Sequence, residues 1–246
     1  MIQPATLLAC IDHTTLNATD HERGVADFCR QAMQLTCDGA HVAAVCVYPR
    51  FVATAADILS GSGISVASVA GAFPHGQTAL QFKVDEVRFA VDQGADEVDI
   101  VISRGALLAG DHARVADELA AMRDACRGKV LKVIIESGEL PTPDLVATAT
   151  RLAIAAGADF VKTSTGKIAV GATLPAAETM LRVIADHAAA TGRLVGFKAA
   201  GGIRQPDEAQ AYAALAASLL GAAYIAPATF RIGASSLTQK LLTTTS

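Results

Sequence analysis

Short runs of β-branched and other apolar residues recur along this chain about every 23 to 35 residues, with Ala-rich stretches of helical periodicity between them. The runs read as strands at 9–14, 42–48, 65–70, 97–103, 131–137, 160–165, 194–199 and 222–226. The stretches between read as helices at 21–35, 51–59, 78–93, 113–125, 143–156, 176–190 and 206–219. Eight strands alternating with helices in about 250 residues predict an α/β fold, a (β/α)8 TIM barrel. An open, doubly wound sheet is the competing architecture. It lacks its Gly-x-Gly-x-x-Gly turn here, because Gly61-Ser62-Gly63 runs straight into the strand at Ser65. No linker or low-complexity block interrupts the pattern, so residues 1–246 are expected to form a single domain.

Alternate residues of a barrel strand face the interior and the surrounding helices. That parity puts Glu97, Asp99, Val101 and Ser103 on one side, and likewise Lys132 with Ile134 and Glu136, Lys162 with Phe160 and Ser164, and Lys198 with Gly196 and Ala200. Polar residues thus share the expected inner face. Three of the chain's seven lysines lie in these apolar runs, although an ammonium leaves water only at a cost of several kcal/mol unless it is paired or deprotonated. Neighbouring inner faces are expected to gather Lys132, Lys162 and Lys198 near the C-terminal mouth, where barrel active sites lie. Apolar walls and like charges there would lower their proton affinity and leave a usable amine nucleophile near neutral pH.

Lys162, near the end of the sixth strand and before the polar turn Thr163-Ser164-Thr165-Gly166, is the expected nucleophile; the bland alternative is a lysine reaching solvent at the rim. Lys198 is expected to act electrostatically on Lys162, or else to be a structural ion-pair partner of Asp99 or Glu136. Asp99 reads as a counterion or a general acid/base. Lys132 and Asp12 are supporting members of the same network, with Cys46 beside them as a small buried residue on the inner face. Gly166-Lys167, Gly201-Gly202 and the stretch Gly233-Ala234-Ser235-Ser236 follow the last three strands at one end, where backbone N–H groups could hold a phosphate. An ordinary turn or helix cap is the alternative at each.

Composition narrows the function classes. With 52% hydrophobic and 18% charged residues, the chain can bury a large core. A net charge of −4 argues against nucleic acid or an anionic membrane as the main partner. No apolar stretch approaches the ~20 residues needed to span a bilayer. Five cysteines, odd in number, without a Cys-x-x-Cys pair and without a signal peptide before them, suit a reducing cytoplasm. The six histidines show no metal-ligand spacing, so no metal and no cofactor are expected.

Three segments together, Asp159 to Lys167, Gly196 to Gly202 and Asp96-Glu97-Val98-Asp99, closely resemble the deoxyribose-phosphate aldolase family. The resemblance extends through Ile11 to Leu16, Ala44 to Arg50, Phe73 to Gly76, Lys132 to Glu136 and Arg231 to Ser236, and so covers nearly the whole chain. It implies a metal-free class I aldolase on a TIM barrel, cleaving 2-deoxy-D-ribose 5-phosphate to glyceraldehyde 3-phosphate and acetaldehyde. By that similarity Lys162 forms the Schiff base, Lys198 lowers its pKa and Asp99 joins Lys198 in proton relay. Gly166, Lys167, Gly201, Gly202, Ser235 and Ser236 fall at positions the family uses near the phosphate. Two departures stand out. Ala199 replaces a proline common in the family after the second lysine, and the chain ends at Leu242-Thr243-Thr244-Thr245-Ser246, so the tyrosine that assists enamine protonation in some members is not carried over. The partner implied is a small phosphorylated sugar, with a homodimer as candidate assembly. Two other readings compete: a sugar-phosphate isomerase or epimerase using Asp99 as base without a covalent step, and a non-catalytic phosphosugar-binding barrel.

Overall fold

The computed structural model describes residues 2–243; residues 244–246, on which part of the tail comparison falls, lie outside the described residues. Its centre is a closed, all-parallel barrel of β1 (Ile11–Thr14), β2 (Ala44–Val47), β3 (Ser65–Ala70), β4 (Glu97–Val101), β5 (Val130–Ile134), β6 (Phe160–Lys162), β7 (Gly196–Ala200) and β8 (Phe230–Ala234). Each strand pairs with the next in sequence, and β8 closes on β1. Around it run α1 (Pro4–Ala9), α2 (Glu22–Ala32), α3 (Val52–Leu59), α4 (Leu80–Asp92), α5 (Arg104–Leu108), α6 (His112–Ala125), α7 (Pro143–Ala155), α8 (Leu174–Thr191), α9 (Pro206–Leu220) and α10 (Leu237–Thr243). The expected (β/α)8 architecture is therefore what forms. Among the described residues, no helix is long and apolar enough to cross a membrane.

Local chemistry fixes the helix boundaries. Thr142 and Thr173 accept hydrogen bonds from the backbone N–H groups of Leu145 and Ala176, and a proline stands in the first turn behind each cap, where its missing N–H costs nothing. The α8 helix therefore starts ahead of the expected 176. Two short helices, α1 and α5, and the hairpin of Thr36–Cys37 with Ala40–His41 were not foreseen; each is too short to show a period.

The eighth strand is a correction. Residues 222–226 contain a 3-10 turn, Ala222–Tyr224, and the strand lies later, at Phe230–Ala234. The apolar run at 222–226 does bury Tyr224, whose hydroxyl donates to the Val195 carbonyl at 2.8 Å, but it packs below the barrel instead of joining it. Parity also fails beyond two strand ends. Ser103 stands just ahead of α5 without capping it, and its hydroxyl meets Lys83 Nζ (2.6 Å) and Glu118 (2.5 Å) in the helix layer instead of the interior. Glu136 adopts a left-handed φ of 52° past β5, so its carboxylate turns toward Arg104 and Thr165 and away from the lysines.

Two apolar clusters divide the core. The larger lies between strands and helices and contains Val98, Ile100, Leu131, Val133, Val161, Phe197 and Ile232. The smaller, Leu16, Ala44, Cys46, Ala67 and Val69, fills one side of the interior. Its small side chains leave room for the long lysines that enter from the opposite strands. The fit is close, since a Cβ on Gly196 would come within 2.3 Å of the Phe160 ring, and one on Gly233 within 3.2 Å of the Lys198 stem.

Candidate active site

Asp99 stands at the middle of the interior, fully buried, and takes three ammonium groups at once. Its Oδ2 accepts from Lys162 Nζ and Lys198 Nζ, both at 2.7 Å, and its Oδ1 from Lys132 Nζ at 2.8 Å. Lys162 and Lys198 are register partners on adjacent strands. Sharing one carboxylate oxygen bounds the distance between their nitrogens at two hydrogen-bond lengths. Lys132 sits deeper than the expected mouth, held also by Glu97 Oε2 (2.5 Å) and Asp12 Oδ2 (3.4 Å). Asp12 Oδ2 in turn holds Lys198 at 2.5 Å. Below them Arg231 from β8 spans Asp12 Oδ1 (2.5 Å) and both oxygens of Glu97 (3.1 and 2.8 Å), with its guanidinium 5.5 Å from the Phe160 ring centre.

The three lysines do not titrate alike. Burial drives the Lys162 amine below its ordinary value, with Asp99 opposing and Lys198 reinforcing the shift. Burial acts the same way on Lys198, but Asp12 and Asp99 outweigh it and hold that ammonium above its ordinary value. Lys132 is raised further, because Asp12, Asp99 and Glu97 together overcome its burial. The expectation that crowding lowers all three is therefore corrected for Lys132 and Lys198, which the carboxylates keep charged. Asp99 is held well below the usual carboxylate range: burial opposes this, but the three lysines dominate. Asp12 is lowered likewise, burial being overcome by Lys132, Lys198 and Arg231. Cys46, on the inner face of β2, is pushed up to about 11 by burial and stays a thiol. Lys198 is paired with Asp12 and Asp99 and not with Glu136.

Lys162 is 3% exposed and opens into a cleft of about 270 Å³ at the C-terminal mouth. Gly166, Lys167, Gly201, Gly202 and Ser235 line the same cleft, with Thr165 and Arg204. Ser236 does not line it. Gly201 has φ 90°, and a Cβ there would press to 3.0 Å on the Gly171 Cα, so only glycines allow these two loops to meet beside the lysine. Thr165 is fastened from below: its N–H and hydroxyl donate to Glu136 at 3.1 and 2.5 Å, while Arg104 donates to the same carboxylate at 3.0 Å. The Lys167 ammonium donates to the Leu16 carbonyl across the cleft. Larger recesses lie at the opposite barrel end, near Gly61 and Asp96, and between α7 and α8, and neither holds any of this chemistry.

Sequence reasoning missed Arg231, Arg204 and the role of Glu97. Arg231 was hidden by the misplaced eighth strand; with 230–234 read as the strand, parity would have put it on the inner face. Arg204 carried a weak signal, a cation two residues beyond the glycine pair.

The fold and the site define an enzyme barrel built around a buried amine of weakened basicity. A family model described as DeoC/LacD family aldolase matches residues 6–239, and the chain belongs to that family. It is an aldolase, a carbon–carbon lyase. Solved structures agree. A Coccidioides immitis protein provisionally named a deoxyribose-phosphate aldolase is 28% identical at a TM-score of 0.84, covering 100% of this chain and 88% of its own. QR15, an aldolase, is 30% identical at 0.78, covering 96% of each chain. The deoxyribose phosphate aldolase of Aeropyrum pernix, described as a unique tetramer, is 27% identical at 0.76, covering 99% and 93%. The isomerase reading gives way to the family match, and Asp99, whose two oxygens already accept from three ammonium groups, is poorly placed to act as a base.

Proposed function

We propose that the chain cleaves 2-deoxy-D-ribose 5-phosphate reversibly to glyceraldehyde 3-phosphate and acetaldehyde through a Schiff base on Lys162. The observation that carries this reading is the asymmetry of the interior lysines: among the described residues, Lys162 has one carboxylate partner, whereas Lys198 has two and Lys132 three. The amine least held by carboxylates is the one facing the cleft.

Neutral Lys162 attacks the open-chain aldehyde, and loss of water from the carbinolamine gives an iminium. Asp99, 2.7 Å from that nitrogen, is the counterion for the positive charge as it forms. Lys198, kept protonated by Asp12 and Asp99, supplies the proton for departing water and recovers it later. Lys198, having given its proton to the departing water, takes that of the sugar's C3 hydroxyl as the C2–C3 bond breaks; the bond's electrons pass to the iminium, leaving an enamine, and glyceraldehyde 3-phosphate departs. Protonation at carbon and hydrolysis then release acetaldehyde and restore the amine. Gly166, Lys167, Gly201, Gly202 and Ser235 would hold the phosphate, with Arg204 adding charge, so that binding energy remote from the reacting carbons orients the sugar. A cleft near the ~300 Å³ lower end of small-molecule pockets suits a five-carbon sugar phosphate.

The names of the Coccidioides and Aeropyrum relatives support the substrate. Five buried, unbridged cysteines support a reducing cytoplasm, and a homodimer is the assembly to be checked by sedimentation. The test is product analysis. Incubation with 2-deoxy-D-ribose 5-phosphate should yield both aldehydes in equal amounts, and conversion without carbon–carbon cleavage would refute the reading.

A further inference from the structure

Counting the charges inside the barrel leads to a residue that never touches the cleft. Among the described residues, the connected network holds four cationic side chains (Lys132, Lys162, Lys198 and Arg231) and three carboxylates (Asp12, Glu97 and Asp99). All seven are buried, so a net charge cannot be screened by water and is costly. The network is neutral only if one cation gives up its proton. Arginine cannot do so. Lys132 and Lys198 are each bonded by two or more carboxylates, which leaves Lys162.

We propose that Arg231 is the positioning residue that keeps Lys162 an uncharged nucleophile, by occupying with a permanent cation the carboxylate capacity of Asp12 and Glu97. The inference rests on Lys162 being the Schiff-base lysine. The groups facing Lys162 are Asp99 of β4, Lys198 of β7 and Cys46 of β2; behind them stand Lys132 of β5, Asp12 of β1, Glu97 of β4 and Arg231 of β8. Arg231 therefore acts through a chain of ion pairs: Arg231 to Asp12, Asp12 to Lys198, Lys198 to Asp99, Asp99 to Lys162. Without its charge, three lysines would face three carboxylates, and every lysine would keep its proton.

The acid limb of the kcat/KM profile, where rate rises as Lys162 loses its proton, reads this directly. One interior charge held at the far end of that chain of ion pairs, at an effective dielectric near 20, is worth on the order of one pH unit. Arg231→Met should raise the limb by about one unit, with about tenfold lower rate below it. Glu97→Gln, which removes a carboxylate and spares the arginine, should lower it. The double variant Arg231→Met with Glu97→Gln restores the excess of one cation and should return the limb toward the parent's. Any other ordering overturns the proposal, including a rate lost equally at every pH, as a merely structural role would give. If Arg231→Met does not fold, Glu97→Gln alone decides: a limb unmoved or raised overturns it. Borohydride reduction of the parent enzyme with substrate separates the two levels. No mass gain on Lys162 would sink the nucleophile assignment, whereas labelled Lys162 with unmoved limbs would sink the role of Arg231 alone.

Discussion

Removing the Glu136 carboxylate should unfasten the loop that carries Gly166 and Lys167. In Glu136→Ala, the Thr165 N–H and hydroxyl and one Arg104 nitrogen lose their acceptor in a buried site. Breaking a buried ion pair by deleting one partner costs about 3–5 kcal/mol. Arg104 keeps Glu139 at 3.1 Å and the His75 carbonyl at 3.2 Å, which places the loss at about 3 kcal/mol. For a chain of this size, about 2–4 °C per kcal/mol converts that to a fall in Tm of about 10 °C. Because Lys167 N–H donates to the Thr165 hydroxyl at 3.1 Å, the loosened loop should also raise KM for a phosphorylated substrate more than for free deoxyribose. Glu136→Gln, which preserves shape and one acceptor, should fall between the parent and the alanine variant. Differential scanning calorimetry and steady-state kinetics on both substrates read the two effects. A fall in Tm under 2 °C with unchanged KM values would refute the reasoning.

Three further outcomes are expected. Lys162→Leu should show no cleavage above background in a coupled aldehyde assay while binding inorganic phosphate as the parent does by calorimetry; substantial turnover would contradict the assignment. Ser235→Glu puts a negative charge in the cleft lining and should raise KM for the phosphorylated sugar at least about tenfold, leaving unphosphorylated deoxyribose nearly unchanged, and equal losses would argue against a phosphate site there. Asp12 and Asp99 have folded pKa values below their unfolded ones, so the unfolded chain binds more protons in acid; their contribution is present above about pH 4 and is lost as pH falls from there toward the folded values. Urea melts should therefore show stability dropping steeply below about pH 4, and a flat profile would contradict the paired state of these carboxylates.

The barrel was legible because seven of its strands are apolar runs bounded by helical periods, and the lysine trio because parity places Lys132, Lys162 and Lys198 on one face. The eighth strand was not. Phe230-Arg231-Ile232-Gly233-Ala234 carries an arginine and a glycine and so makes no apolar run, and both face the interior: one pairs with Asp12 and Glu97, the other makes room for Lys198. The signs of the Lys132 and Lys198 shifts were equally out of reach. They depend on Asp12 and Glu97 arriving from strands far apart in sequence, and local patterning says nothing of such meetings. Parity also carried Ser103 and Glu136 inward because it could not tell where β4 and β5 stop. The cleft lining proposed for the phosphate was legible through its glycines, except that Ser236 lies one residue past that lining.

The central claim is that one buried amine, Lys162, bonds covalently to the sugar carbonyl. Sodium borohydride added during turnover, followed by peptide mass mapping, measures this directly. The account expects a stable reduced adduct on the peptide bearing Lys162, and none without substrate. Full retention of the unmodified peptide, or an adduct on Lys132 or Lys198 in its place, would contradict it.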